Sequence, residues 1–360
     1  MKNFFHSTRY KKHHKRAASK KAKRTRKGKE KLKEKRRRLQ GYSKEQKTEI
    51  NNLSNYTIIS APLNFSFIQN VSKTAKFIRK LEALYEKRKK VYVDLSRITF
   101  LDYSAISVLV SVMFTFKSRN IEFNGNFPEN LSLKKLLIES DFFKYLNKPI
   151  SNKLEYSVGK KNQIFTRANK EVNSELGFVV MEEASQTIWG EKRTCKGLQR
   201  TLLELMHNTN NHADKSAKGV KHWWLSVNHN IKEKKVSFAF IDYGVGIFES
   251  LKDKPHDNKW YKLYDKISNK LKYGSNEEIL KLLLEGEIHM TVTGEHFRGK
   301  GLPGIKQVQD RNQIDNLHII SNDVYADVKK DNYQKIQHSF SGTFAYWEIN
   351  ETNQNSKWVL

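Results

Sequence analysis

Residues Phe238–Ile247, FAFIDYGVGI, decide how the second half of the chain is read. The alternating apolar run makes a strand with one face in a core, and it stops at Asp242. Gly244 and Gly246 follow, where a missing Cβ lets backbone approach a ligand closely. A carboxylate at such a strand end can accept a hydrogen bond from an adenine amine. A strand leading into a tight turn selects Asp and Gly for its own reasons, so this stretch alone leaves both readings open.

Working outward, Lys196–Ala213 has helical spacing, and His222–Val227 and Lys235–Asp242 read as strands. On that helix Glu204, Asn208 and Asn211 stand at i, i+4 and i+7, one polar stripe beside Leu202, Leu203, Leu205 and Met206. A carboxylate there can orient water, and an amide oxygen can ligate a hard cation. Downstream, Leu251–Gly286 is polar and helical in character. Gly294–Val308, GEHFRGKGLPGIKQV, then carries Gly299, Gly301 and Gly304 into a helix over Leu302–Asp310. Free N–H groups at that helix start would face an anion, with Arg298 and Lys300 adding charge. The spacing is not that of a P-loop. Three strand-like runs end the chain, the last being Ser339–Ile349, entered through Ser341–Thr343, SGT.

The ordered set ELMHN, DYGVGI, GKGLPGI and SGT resembles the four nucleotide boxes of the GHKL ATPase superfamily (gyrase, Hsp90, histidine kinase, MutL) over roughly residues 180–350. The resemblance implies a layered α/β sandwich of the Bergerat type, with a mobile lid around Phe248–Arg298, and ATP and Mg²⁺ as cofactors. It implies that Asn208 binds Mg²⁺ and that Asp242 recognises the adenine amine, supported by Thr343. Gly244 and Gly246 would shape the base pocket, and Gly299, Gly301 and Gly304 would cradle phosphates. Asn211, Ile247, Arg298, Lys300 and Leu302 complete the nucleotide-binding set, and Glu204 occupies the position of the acidic base. The string from Glu204 to Ala213 is most similar to anti-sigma-factor serine kinases. Asn211 replaces the Asp of gyrase-like members, and Pro303 interrupts the usual Gly-Leu-Gly. No helical pair with an acceptor histidine precedes the module, which argues against a two-component histidine kinase.

Before it, residues from about Asn52 to Asn147 alternate strand and helix. Tyr56–Ser60, Val91–Leu95 and Ile121–Phe127 read as strands; Phe67–Arg88, Tyr103–Lys117 and Leu131–Leu146 read as helices. This is an α/β domain with a partly parallel sheet. Val91–Val110, VYVDLSRITFLDYSAISVLV, resembles the centre of a STAS domain, the anti-sigma-factor-antagonist fold. Asp102, Ser104 and Ala105 match its motif, with Ser104 at the phosphorylatable position. Tyr103 and Ala105 replace smaller residues there, and a plain helix cap would select Asp102 or Ser104 as well.

Of the net charge of +29, +18 lies in residues 1–48, which hold 21 Lys or Arg against three Glu. Like charges without an apolar face predict a disordered basic tail that gains order on a polyanion such as nucleic acid. The expected boundaries are 1–50 for the tail, 51–150 for the STAS-like domain and 151–352 for the ATP module. Cys195 is the one cysteine, which excludes an internal disulfide framework and an all-Cys zinc site. No apolar run is long enough to span a bilayer, and the expectation is a cytoplasmic protein. Three functions follow: an ATP-driven conformational switch with slow hydrolysis, a protein serine kinase acting on Ser104 or a partner, and a nucleic-acid-binding protein with a regulatory ATP site. A protein partner reached through the STAS-like domain is expected, and a homodimer is left open.

Overall fold

The computed structural model describes residues 8–38, 54–140, 165–169, 174–212, 223–252, 275–287, 301–353 and 357–359. The chain divides into two compact units, Met1–Tyr56 and Thr57–Leu360.

In the first unit Thr8–Arg38 is a single helix, α1, of 31 residues. This corrects the expectation of a disordered tail. Ala, Lys, Arg and Glu all have high helix propensity, and their sum outweighs the repulsion among like charges. Arg26 and Glu30 add one i,i+4 pair at 3.3 Å. Residues 11–33 are exposed all round, so this stretch of α1 buries no face.

The second unit begins with a small α/β module. Its elements are β1 (Thr57–Ser60), β2 (Asn64–Phe65), α2 (Val71–Glu86), β3 (Val91–Asp94), β4 (Phe100–Leu101), α3 (Tyr103–Ser118), β5 (Phe123–Gly125) and α4 (Leu131–Glu139). Strands β1, β3 and β5 form a parallel sheet in the order β1-β3-β5, and β2 pairs in parallel with β4. Parallel pairing requires crossovers, which α2 and α3 supply. Helix α4 ends at Glu139, earlier than the helical spacing to Leu146 implies; residues 141–146 lie outside the described residues.

The remainder comprises β6 (Phe165–Asn169), α5 (Ser174–Trp189), α6 (Lys196–His212), β7 (Trp223–Asn230), β8 (Lys235–Asp242), α7 (Gly246–Lys252), α8 (Asn276–Glu285), α9 (Gly301–Asp310), β9 (Asp315–Asp327) and β10 (Asn332–Asn350). One antiparallel sheet of five strands runs β6-β7-β8-β10-β9. The three strand-like runs expected at the end of the chain are two long strands, because β10 continues through a bulge rather than stopping.

Strand alternation sends successive side chains to opposite faces of this sheet. On β8, Val236, Phe238 and Phe240 join a core with Leu198, Leu202, Leu205 and Met206 of α6 and Ile305 and Val308 of α9. Ala239 and Ile241 point the other way, into a core shared with α2 and α3. Helix α3 is therefore packed on two sides, which explains why Ser104–Phe114 is buried at every position. The second unit stacks a small sheet, a pair of helices, a large sheet and a second helical layer.

Candidate functional site

The row of residues crossing the large sheet at the end of β8 is Trp223, Asp242, Thr343 and Ser321, each paired with the next. By alternation Asp242 lies on the face of Phe238 and Phe240, which is the face covered by α6 and α9. Thr343 and Ser321 share that face, and their hydroxyls are hydrogen-bonded at 3.0 Å.

Ser341 and Gly342 form a bulge, because Phe340 pairs with Asn322 while Thr343 pairs with Ser321. The SGT segment thus sits inside a 19-residue strand rather than at its entrance. Gly342 has φ of +109°, and a Cβ there would lie 1.8 Å from the Asp242 carbonyl oxygen. Only glycine lets the bulge press this closely on β8.

The turn after Asp242 is built just as tightly. Gly246 has φ of +79°, and its Cβ would collide with Asn322 Oδ1 at 2.4 Å. Asn322 holds the turn from below: its Nδ2 donates to the Val245 carbonyl at 2.8 Å, and its Oδ1 accepts from the Phe248 N–H at 3.1 Å. The Ile247 N–H donates to Ser321 Oγ at 2.9 Å, and Ser321 Oγ donates to the Gly342 carbonyl at 3.1 Å. Gly244 serves a different purpose, since a Cβ there would stand 3.1 Å from Asp242 Oδ1 and crowd the carboxylate. Sequence reasoning missed Ser321 and Asn322. Their signal was a polar pair interrupting the apolar strand HIISNDVYA.

Helices α6 and α9 run antiparallel. A Cβ on Gly197 would touch Val308 near the far end of α9, and one on Gly304 would be 3.2 Å from Thr201 Oγ1. Gly304 therefore serves close packing of the two helices. Counting back from that contact at about 1.5 Å per residue sets Glu204 level with Gly301, the first residue of α9, and Asn208 about 6 Å further along the axis. Glu204 is 18% exposed and accepts from Arg200 Nε at 3.1 Å. Leu302 packs against the core. Asn208 and Asn211 lie on α6 by their backbone, and their side chains are outside what is described. Arg298, Gly299 and Lys300 also lie outside the described residues, as do 253–274 and 288–297 of the stretch Phe248–Arg298 expected to form a lid. Within that stretch α8 packs into the core through Ile279, Leu280, Leu283 and Leu284.

In the first module Asp102 caps α3, accepting the Ala105 N–H at 3.1 Å. Its two oxygens also accept from the Ser104 and Ser66 hydroxyls, each at 2.5 Å. Ser104 is fully buried, and its Oγ accepts the Phe67 N–H at 2.9 Å as well. Burial raises the Asp102 carboxyl above its ordinary range, which hydrogen bonds from the Ser104 and Ser66 hydroxyls and the Ala105 and Ser104 N–H groups partly offset. In this arrangement Ser104 has no exposed surface.

Parallel β1-β3-β5 pairing, crossover helices and an Asp-capped α3 are the features of the anti-sigma-factor-antagonist fold that the sequence resembles. Residues 54–124 match the family model of that domain. This segment is a STAS domain. No curated protein and no solved structure matches the chain. Among the described residues no helix is long and apolar enough to cross a membrane.

The STAS domain meets the large sheet directly behind the Asp242 row. Ser107 Oγ is hydrogen-bonded to Ser226 Oγ at 3.0 Å, and Ser111 Oγ to the Tyr243 hydroxyl at 2.6 Å. These small hydroxyl residues let α3 lie close on the strands. Phe67 meets Phe340 and Phe344 edge-on, with centroids 5.2 and 5.0 Å apart, and Phe114 packs on Trp224 at 5.0 Å.

Proposed function

We propose that Thr57–Leu360 is an ATP-dependent regulatory switch, in which a Bergerat-type module takes ATP and Mg²⁺ between the Asp242 face of the sheet and helices α6 and α9. The observation that carries this is the pairing of Asp242 with Thr343, bounded by Gly244 and Gly342, where side chains would fill the space beside the carboxylate or the strand. These residues fit an adenine ring: a carboxylate to accept from its amine, a hydroxyl beside it, and backbone free of Cβ groups. The start of α9 would face the phosphates, with Arg298, Gly299 and Lys300 before it. Asn208 would supply one oxygen to Mg²⁺, whose remaining ligands come from phosphates and water. Bound ATP would supply a transferable phosphoryl group, and Glu204, once released from Arg200, would hold a proton or orient water.

Slow hydrolysis is favoured over serine phosphorylation in cis, because Ser104 is buried and engaged on both sides. The STAS domain is the part suited to a protein partner, consistent with regulation of the antagonist type. Calorimetry with MgATP tests the reading: Asp242→Asn should abolish binding, while Glu204→Ala should bind ATP and lose turnover. Unchanged affinity in the Asp242 variant overturns it.

A second observation supports a separate role for the amino terminus. Within α1 stand 18 Lys or Arg and two Glu, on a helix whose residues 11–33 are all exposed. Such a surface binds a polyanion through phosphate neutralisation and reads no sequence.

A further inference from the structure

The segments that build the proposed nucleotide pocket are gripped on their reverse side by the STAS domain. Alternation makes this possible, since Asp242 and Thr343 face the helical layer while their neighbours face α2 and α3. Ser339, two residues before the bulge, accepts from Arg79 Nη1 at 2.6 Å. Phe340 packs on Phe67 and also on Tyr243, at 5.9 Å. Ser341, in the bulge itself, donates from Oγ to Glu82 Oε2 at 3.1 Å. Phe344, one residue past Thr343, packs on Phe67, and Tyr243, one residue past Asp242, bonds to Ser111. Ser339, Phe340, Ser341 and Phe344 on β10, and Tyr243 after β8, thus each touch a STAS residue.

We propose that the STAS domain sets the shape, and so the affinity, of the nucleotide pocket through the sheet, with Glu82 as the positioning residue that holds the Ser341–Gly342 bulge against β8. The proposal rests on the ATP-binding reading above and names its regulation. Gly342 fits against the Asp242 carbonyl only while the bulge stays in place, so loosening Ser341 displaces Thr343 and the strand end that carries Asp242. Linkage makes the effect reciprocal: ATP in the pocket favours the docked STAS domain, and a partner that pulls α2 away weakens ATP. Between the two sites lie one strand and one hydrogen bond, a short physical path.

The charge on Glu82 is adjustable near neutrality. Burial raises its carboxyl to about 7, opposed by the Ser341 hydrogen bond and the Arg79 guanidinium and reinforced by Glu86. Tyr243 also faces it, and burial keeps that phenol protonated. The ionised carboxylate holds Ser341 more strongly than the neutral acid does.

Calorimetric titration of the full chain with MgATP at pH 6, 7 and 8 tests this, using wild type, Glu82→Gln, Ser341→Ala and Asp242→Asn. Wild type should bind roughly three- to tenfold more tightly at pH 8 than Glu82→Gln does, a difference that shrinks at pH 6 as the acid becomes neutral. Ser341→Ala, which removes only a hydroxyl, should reproduce the Glu82→Gln profile, so the test stands even where the Glu82 variant folds poorly. If wild type binds, Asp242→Asn does not, and both Glu82→Gln and Ser341→Ala match wild type in affinity and pH profile, the positioning role is overturned and ATP binding stands. If wild type does not bind MgATP, the ATP-binding reading fails first and this inference with it.

Discussion

Ser111 and Tyr243 share a 2.6 Å hydrogen bond that ties the buried helix of the STAS domain to the residue following Asp242. The two come from modules that the sequence separates by a boundary near residue 150, yet Ser111 is buried and Tyr243 packs against the core that α2 and α3 share with the large sheet. Residues on α2 and α3 and on the far face of the large sheet exclude water from each other. The small α/β module has no core apart from this shared one, while the large sheet has a second core on its other face. The STAS domain and the large sheet should therefore unfold in one cooperative transition in urea, followed by tryptophan fluorescence and circular dichroism together. Two separated transitions would contradict the shared core. A double-mutant cycle with Ser111→Ala and Tyr243→Phe should give a coupling of about 0.5–1.5 kcal/mol. Ser111→Leu, which forces a branched side chain between α3 and β8, should cost about 1–3 kcal/mol.

Two glycines beside Asp242 should behave oppositely. Gly342→Ala puts a Cβ into the Asp242 carbonyl at a φ that side chains rarely adopt, so it should lower stability by about 1–3 kcal/mol or more. Gly244 has no such backbone demand, and the first group its Cβ would meet is the carboxylate of Asp242, at 3.1 Å. Gly244→Ala should keep the wild-type unfolding midpoint and lose at least tenfold in MgATP affinity. Equal melting losses in both variants would show that Gly244 serves the fold rather than the ligand.

Sequence periodicity gave most elements to within a few residues: α2, α3, α6, β3, β7, β8 and α9 follow directly from apolar spacing. The STAS domain was legible in one motif, because Asp102 caps a helix that is buried over Ser104–Phe114 at every position. Helix α5 was not assigned, as Gly177 and the Val179–Val180 pair weaken its propensity without changing its buried stripe. Asp242, Gly244, Gly246 and Thr343 were legible because close backbone approach leaves a glycine signature. Ser321 and Asn322 were not, since their roles depend on a bulge register between β9 and β10 that no local pattern encodes. The back-of-sheet contacts of Arg79 and Glu82 join residues some 260 positions apart, beyond any sequence spacing.

Acid should destabilise the second unit through two histidines. Burial lowers His229 and His318 to about 4, below the 6.5 of an exposed imidazole. His318 is held neutral between Tyr325, whose hydroxyl lies 3.0 Å from Nδ1, and Asn316, 2.9 Å from Nε2. Between pH 6.5 and 4 the unfolded chain binds protons that the folded chain does not, so stability falls as pH drops through this window. Glu82 acts in the opposite sense: its raised carboxyl contributes stability below 4.5 that is lost as pH rises towards 7. Urea midpoints at pH 7 and pH 5 should show a net loss at pH 5, and that loss should shrink in His229→Gln. A midpoint that rises at pH 5 in wild type and is unaltered in the variant would refute the histidine assignment.

Phosphotransfer to the STAS domain should leave Ser104 unlabelled. Its hydroxyl is buried, donates to Asp102 and accepts from Phe67, and a phosphate there would place two negative charges beside a desolvated carboxylate. Incubation with γ-labelled ATP should release free phosphate without labelling the chain, at a rate lost in Glu204→Ala. Label on wild type that disappears in Ser104→Ala would mean that α3 opens during turnover and that the chain is a kinase acting on itself.

Binding of the amino terminus to nucleic acid should follow counterion release. A helix of 31 residues is about 46 Å long and presents only one side of its charge to a duplex at a time. Roughly half of the 18 cations in α1 then reach phosphates, which predicts a slope of about −6 to −8 for log K against log salt on duplex DNA. Because the charges surround the helix and no base-reading residues are set on one stripe, unrelated duplex sequences should bind within about threefold of each other. Fluorescence anisotropy between 50 and 250 mM salt measures both quantities. Removing residues 1–48 should abolish binding at 150 mM salt while leaving the MgATP affinity of the rest unchanged. Retained binding would move the polyanion site onto Thr57–Leu360 and leave α1 without this role.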